Sequence, residues 1–208
     1  MYAPRHFAVG DEDRLFDFIN QTTVATLITE GADGMTANQV PLLLNPHARQ
    51  LWGHLARPNP QLDELATGKP VLVNFLGPSG YISPSWYADT GLVPTWNFVS
   101  VQVRGIPRIH DDTEAVRDIT RRLTELREAP FDPPWTMDKV PAERHEKLLA
   151  AIVGFRIDIT DVQGKFKLSQ NRSAEDRAGA IAGLRSMGDH GSLALADCME
   201  TEVNGEEQ

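Results

Sequence analysis

Only one cysteine, Cys198, occurs in the 208 residues, and 20 basic side chains stand against 29 acidic ones. A single cysteine excludes an internal disulfide and any zinc site built on several thiolates. The six histidines show neither His-Glu-x-x-His nor Cys/His ligand spacing, so no metal site is expected. A formal charge of −9 disfavours non-specific nucleic-acid binding over the whole surface, while leaving room for a local basic patch. No apolar run approaches the ~20 residues that a membrane helix needs. The first residues, Met1-Tyr2-Ala3-Pro4-Arg5-His6-Phe7, carry no apolar signal core. A cytoplasmic protein without membrane association is expected. Gly-x-Ser-x-Gly, Gly-x-Gly-x-x-Gly and P-loop patterns are absent, and the cysteine lies far toward the C-terminus. No catalytic residue is assigned.

What is present is β-rich in the first half. An amphipathic helix over 11–20 is followed by strand-like runs at 22–29, 35–44, 50–55, 71–76 and 93–106, with turns at Gly31-Ala32-Asp33-Gly34, Asn45-Pro46-His47 and Gly77-Pro78-Ser79-Gly80. Tyr81 to Tyr87 is too proline-interrupted for a central strand. Such spacing predicts a small antiparallel barrel. The second half changes period. Ala115, Val116, Ile119, Leu123 and Leu126 recur at helical spacing, a proline-rich loop spans 129–134, and Pro141 opens another helix. Residues 153–159 alternate as a late strand. Ser173 caps a helix ending near Ser186, a short helix spans about 192–199, and the acidic stretch 200–208 is expected to fray. With no repeat or low-complexity linker, residues 1–208 read as one domain, with C-terminal helices from about 173.

One corner organises the first half: His54-Leu55-Ala56-Arg57-Pro58-Asn59-Pro60-Gln61. It ends a strand and opens a short helix, with Asn59 as N-cap and Pro60 at the first helical position. Free helix N–H groups and the forked cation of Arg57 suit a phosphate. A capped helix beside a surface arginine has the same pattern.

Five blocks in order resemble the PaiB-type FMN-binding negative transcriptional regulators, relatives of the pyridoxamine 5′-phosphate oxidase-like split barrels. They are residues 1–7, 54–61, 77–87 (Gly-Pro-Ser-Gly-Tyr-Ile-Ser-Pro-Ser-Trp-Tyr), 93–98 (Val-Pro-Thr-Trp-Asn-Phe) and 165–172 (Lys-Phe-Lys-Leu-Ser-Gln-Asn-Arg). The resemblance implies a mainly β fold with added helices, an FMN-binding split β-barrel, antiparallel and Greek-key-like. It implies a homodimer with FMN at the subunit interface, and DNA or a transcription partner by family analogy only. It also implies that Arg57 and its neighbours, including Asn59 and Gln61, lie near the FMN phosphate. The wider superfamily carries a Ser-Arg-Lys type motif there; Pro58-Asn59 replaces the lysine, and Lys167 or Arg172 could supply the missing cation.

FMN also needs a flat apolar slot, for which Trp86, Tyr87 and Trp96 are candidates, and amides at its pyrimidine edge, for which Asn97, Gln170 and Asn171 are candidates. His54, beside the corner, could bond the ribityl chain or phosphate, or could be a half-buried structural histidine. Three functions remain open: a flavin-binding regulator, an FMN-dependent oxidoreductase acting on a small molecule, and a split-barrel interaction module without cofactor. The arginines of the second-half helices alternate with acidic residues and do not form a basic recognition helix.

Overall fold

The computed structural model describes residues 1–206. Its strands are β1 (Ala8–Val9), β2 (Val24–Gly31), β3 (Gly34–Pro41), β4 (Leu43–Asn45), β5 (Gln50–Ala56), β6 (Val71–Ile82), β7 (Thr95–His110) and β8 (Ile152–Lys167). Six helices accompany them: α1 (Glu12–Thr22), α2 (Gln61–Ala66), α3 (Thr113–Glu128), α4 (Ala142–Ala150), α5 (Ala174–Met187) and α6 (His190–Glu206). The sheet follows the order β3-β2-β6-β7-β8-β5-β4, and β1 pairs with β8 off that path. The hairpin β2–β3 and the pairs β4–β5, β5–β8 and β1–β8 are all antiparallel. The mainly β class with added helices is as expected.

Two compact units divide the chain. One comprises residues 16–75 and 102–162. Its core is built by alternation: β2 buries Ala25, Leu27 and Thr29, β5 buries Leu51, Gly53 and Leu55, and β8 supplies Phe155 and Ile157. The α3 helix presents Val116 and Ile119 inward. Asp112 caps that helix, its Oδ1 accepting from Ala115 N at 2.8 Å. The other unit comprises residues 1–15, 76–101 and 163–208. Its centre is the α5–α6 pair, with Ala180, Leu184, Leu195, Ala196 and Met199 buried. Strands β6, β7 and β8 each contribute residues to both units.

Three elements run further than expected. Strand β6 continues through Gly77-Pro78-Ser79-Gly80, where the composition predicts a turn. Its pairing with β2 covers only residues 72–74, so along that side the later residues need not donate N–H groups and Pro78 is tolerated. Strand β8 extends past Ile159 to Lys167, where β1 supplies a partner at Gly164 and Lys165. Helix α6 extends to Glu206, so the acidic stretch is helical rather than frayed over its described part. Arg14 pairs with Glu202, and Arg185 pairs with Asp197 and Glu200, which neutralises three of its carboxylates. The expected frayed end otherwise falls on Glu207 and Gln208, outside the described residues.

Candidate functional site

The 54–61 corner lies in the first unit. Helix α2 begins at Gln61, one residue later than expected, with Pro60 as the flanking residue. Asn59 still serves the helix entry, its Oδ1 accepting from Gln61 N at 3.0 Å. Arg57 is not the free cation that the sequence predicts. Its Nη1 and Nη2 donate to the two carboxylate oxygens of Asp111 (3.1 and 2.6 Å). Its Nε donates to Ala150 O (2.9 Å) and Nη2 also to Ile152 O (3.2 Å). The charge is neutralised in place, and the Asp111 carboxyl is held below the ordinary aspartate value by the arginine's hydrogen bond and charge.

Gln61 departs from the expected ligand role as well. It is fully buried, donates to Leu27 O (3.1 Å) and Thr29 Oγ1 (2.9 Å), and accepts from Asn38 Nδ2 (3.0 Å). Both ends of its amide are spent on the fold. His54 sits on β5 opposite Gly154. Its Nδ1 is buried without a hydrogen-bond partner among the described residues, and burial pushes its imidazole below the ordinary histidine value. The side chains of Arg57 and Gln61 at this corner are thus bonded to neighbouring elements of the same unit.

The remaining candidates lie in the second unit. Lys167 ends β8, and its Nζ donates to Trp96 O (2.6 Å) and to Thr95 Oγ1. Burial and the charges of Lys165 and Arg172 together push its ammonium below the ordinary lysine value. Arg172 lies within electrostatic reach of the Asp176 carboxylate, which its charge helps to hold below the ordinary aspartate value. Lys165 and Arg172 are set among aromatic rings. Lys165 lies 5.3 Å from the Phe98 ring centre and 5.7 Å from that of Tyr2, and Arg172 lies 5.6 Å from that of Tyr87. Beside them Trp96 is 59% exposed and meets Tyr81, itself 46% exposed, edge to face at 6.0 Å. The three cations repel one another, and an anion sharing the site relieves that repulsion. An exposed indole face next to that charge offers a flat surface.

Not every predicted residue in this unit is available. Trp86 sits in a single 3-10 turn, Pro84–Trp86, packed on α5. A Cβ on Gly183 would come within 2.2 Å of its ring, and one on Gly179 within 2.0 Å of its carbonyl oxygen. Its half-buried indole is packed against α5 at Gly183. Gln170 closes a local loop, its Nε2 donating to Phe166 O (2.6 Å) and its Oε1 accepting from Leu168 N (2.8 Å). Asn97 is fully buried and donates to Ser169 Oγ (2.9 Å), while its Oδ1 has no partner among the described residues. The structure thus brings together Trp96, Lys167 and Arg172 from the expected set. It adds Lys165, Tyr81 and Thr95. Lys165 was readable in principle, since two residues of strand spacing put it on the same face as Lys167.

The donor set of the second unit fits a flat, negatively charged group, with three grouped cations near an exposed tryptophan. The corner in the first unit fits one poorly, since its arginine is already paired.

Residues 1–161 match the family described as "Putative FMN-binding domain". Over 205 residues the chain is 33% identical to "Protease synthase and sporulation protein PAI 2" of Bacillus subtilis, covering 98% of each chain. Among solved structures, an FAD and heme binding protein from Mycobacterium smegmatis aligns with a TM-score of 0.63 and 18% identity, over 83% of this chain and 79% of that one. The flavocytochrome Anf3 from Azotobacter vinelandii aligns with a TM-score of 0.63 and 14% identity, over 85% and 78%. These two structures share the fold of this chain, an antiparallel split barrel with added helices. The chain belongs to the FMN-binding domain family, the PaiB-type flavin-binding split-barrel proteins that its ordered blocks resemble.

Proposed function

We propose that this protein is a cytoplasmic, homodimeric FMN-binding regulator that holds the negative charge of FMN on Lys165, Lys167 and Arg172. The observation that carries the reading is that cation cluster, in which Lys167 is fixed on the backbone carbonyl of the exposed Trp96. FMN brings a phosphate and a planar ring, and when bound it supplies reversible electron transfer. The chain's own part is binding and orientation. Trp96 O and Thr95 Oγ1 fix the Lys167 ammonium, so little side-chain freedom is lost when it meets an anionic oxygen. Trp96 covers one face of the ring, with Tyr81 bracing the indole from its edge.

Exposed apolar side chains in the same unit, Tyr2, Leu76, Tyr81, Val93 and Trp96, favour a second copy as the cover that excludes water from this surface. The regulatory role rests on the relative named for protease synthesis and sporulation. Regulation works through a partner rather than by direct reading of DNA with α3. Arg117 is paired with Glu114 and Glu146, Arg121 with Asp118 and Glu125, and Arg122 with Asp118, while Arg127 donates to Asn20 O, and one remaining cation is not a recognition face.

The test is a titration of the purified chain with FMN, followed by visible absorbance, for the native sequence and for Lys167→Ala. The reading requires saturable binding of one FMN per chain and weaker binding by the variant. Steady-state consumption of a reduced nicotinamide would replace the regulator by an oxidoreductase.

A further inference from the structure

We propose a second ligand site, in the cleft formed by α3, α4 and the connecting segment 129–141, for a small amphipathic carboxylate: an apolar body with one anionic head. The cleft has a volume of about 500 Å³, within the range of small-molecule sites. Its apolar surface comes from Trp135, Met137, Val140, Leu148 and Leu149. Three basic side chains, Lys139, Arg144 and His145, and the hydroxyl residue Thr120 line it as well.

Most other cations of the two helices are already spent, and Arg127 is bonded to Asn20 O. Arg117, Arg121, Arg122 and Lys147 are each paired with a carboxylate. Lys139 and Arg144 have no such partner among the described residues. His145 Nε2 is buried and has no hydrogen-bond partner there either. A buried polar atom without a partner is costly, and a ligand oxygen or N–H would satisfy it. The walls demand a mostly apolar molecule, because a polar body would lose its hydration without compensation. The cations demand one negative head, and a guanidinium fork matches a carboxylate.

The cleft is braced before any ligand arrives. Arg117 Nη2 donates to Glu146 Oε1 at 2.7 Å, tying α3 to α4. Arg57 holds Ala150 O and Ile152 O, which fixes the end of α4 and the start of β8. A preformed site loses less entropy on binding. This site lies wholly within residues 120–152 and uses none of the side chains assigned to FMN.

The test is isothermal titration of the full chain, saturated with FMN, with 1-naphthaleneacetate and with its neutral amide. The proposal expects one acetate per chain, bound at least about five-fold more tightly than the amide, the scale of one solvent-accessible charge pair. In Lys139→Ala/Arg144→Ala that preference disappears. In Leu148→Trp, which fills the cleft from a half-exposed position, both ligands lose affinity. Methyl NMR of the native chain gives a readout independent of variant folding. The Met137 methyl shifts on addition of the acetate and the buried Met199 methyl of the other unit does not. Absence of saturable binding at about 1 mM ligand, a scale of very weak affinity, overturns the proposal. So does a preference for acetate that survives the double substitution, or a shift confined to methionines other than Met137. FMN affinity unchanged in these variants separates this site from the flavin reading.

Discussion

A single lysine carries most of the chemical argument. Lys167 is held by Trp96 O, crowded by Lys165 and Arg172, and partly removed from water. Its charge is destabilised in the free protein and is relieved by an anion. Lys167→Ala should therefore weaken FMN binding about ten-fold or more, the scale of a charge-assisted hydrogen bond. Arg57→Ala should change that affinity less, because Arg57 already spends its donors on Asp111, Ala150 and Ile152. Comparing the two dissociation constants by fluorescence titration separates the two assignments, and a larger loss in Arg57→Ala would return the phosphate to the 54–61 corner. The sequence made both residues visible as cations in ordered motifs. It could not show which one was already paired, because Asp111 lies 54 positions from Arg57. The partner of Asn97, Ser169, is as distant, whereas Gln170 closes on Phe166 and Leu168 nearby, where an amide suited to a ligand is equally suited to a loop closure.

His54 belongs to this scale too. Burial lowers its imidazole below the free value of 6.5, so the folded state favours the neutral form. The contribution is intact above pH 6.5 and is lost as pH falls through the lower folded-state value. Melting temperature should fall as pH is lowered below 6.5, and that fall should be shallower in His54→Gln. An unchanged slope would remove His54 as the titrating group.

Among elements, helices and their entries were the most legible. Asp112 and Ser173 lead α3 and α5, and their side chains accept from Ala115 N and Asp176 N as capping requires. The capping box of α5 has a further use that spacing could not reveal. Asp176 Oδ1 also accepts from Ala88 N and Asp89 N, fastening the loop after the 3-10 turn. Strand ends were less legible. Glycine and proline at 77–80 predict a turn, but what limits a strand there is whether a neighbour needs its N–H groups, which is a tertiary fact. The small residues of α5 were unremarkable in sequence, yet Gly179 and Gly183 let the helix close on Trp86. Gly179→Ala would place a methyl 2.0 Å from the Trp86 carbonyl oxygen, against backbone that cannot rotate away. It should cost ~1–3 kcal/mol, as overpacking does, despite the better helix propensity of alanine. Urea denaturation measures this, and a neutral or stabilising result would mean that the turn yields.

For the molecule as a whole, the family was legible from five short blocks taken together in their order along the chain. The arrangement of side chains inside those motifs was not legible, since whether a residue points to a ligand or to the fold depends on partners tens of positions away. The exposed apolar set around Trp96 predicts a dimer: sedimentation velocity at micromolar concentration should give twice the chain mass, and Trp96→Asp should shift the distribution toward monomer. A native chain that sediments as monomer contradicts the dimer.

The most direct test of the central claim is the visible spectrum of the purified protein during titration with FMN. The account predicts a flavin spectrum perturbed on binding, saturating at one FMN per chain, with affinity that falls as salt is raised because the site is cationic. No spectral change at tens of micromolar FMN, a concentration at which a site of ordinary cofactor affinity would be filled, would contradict it.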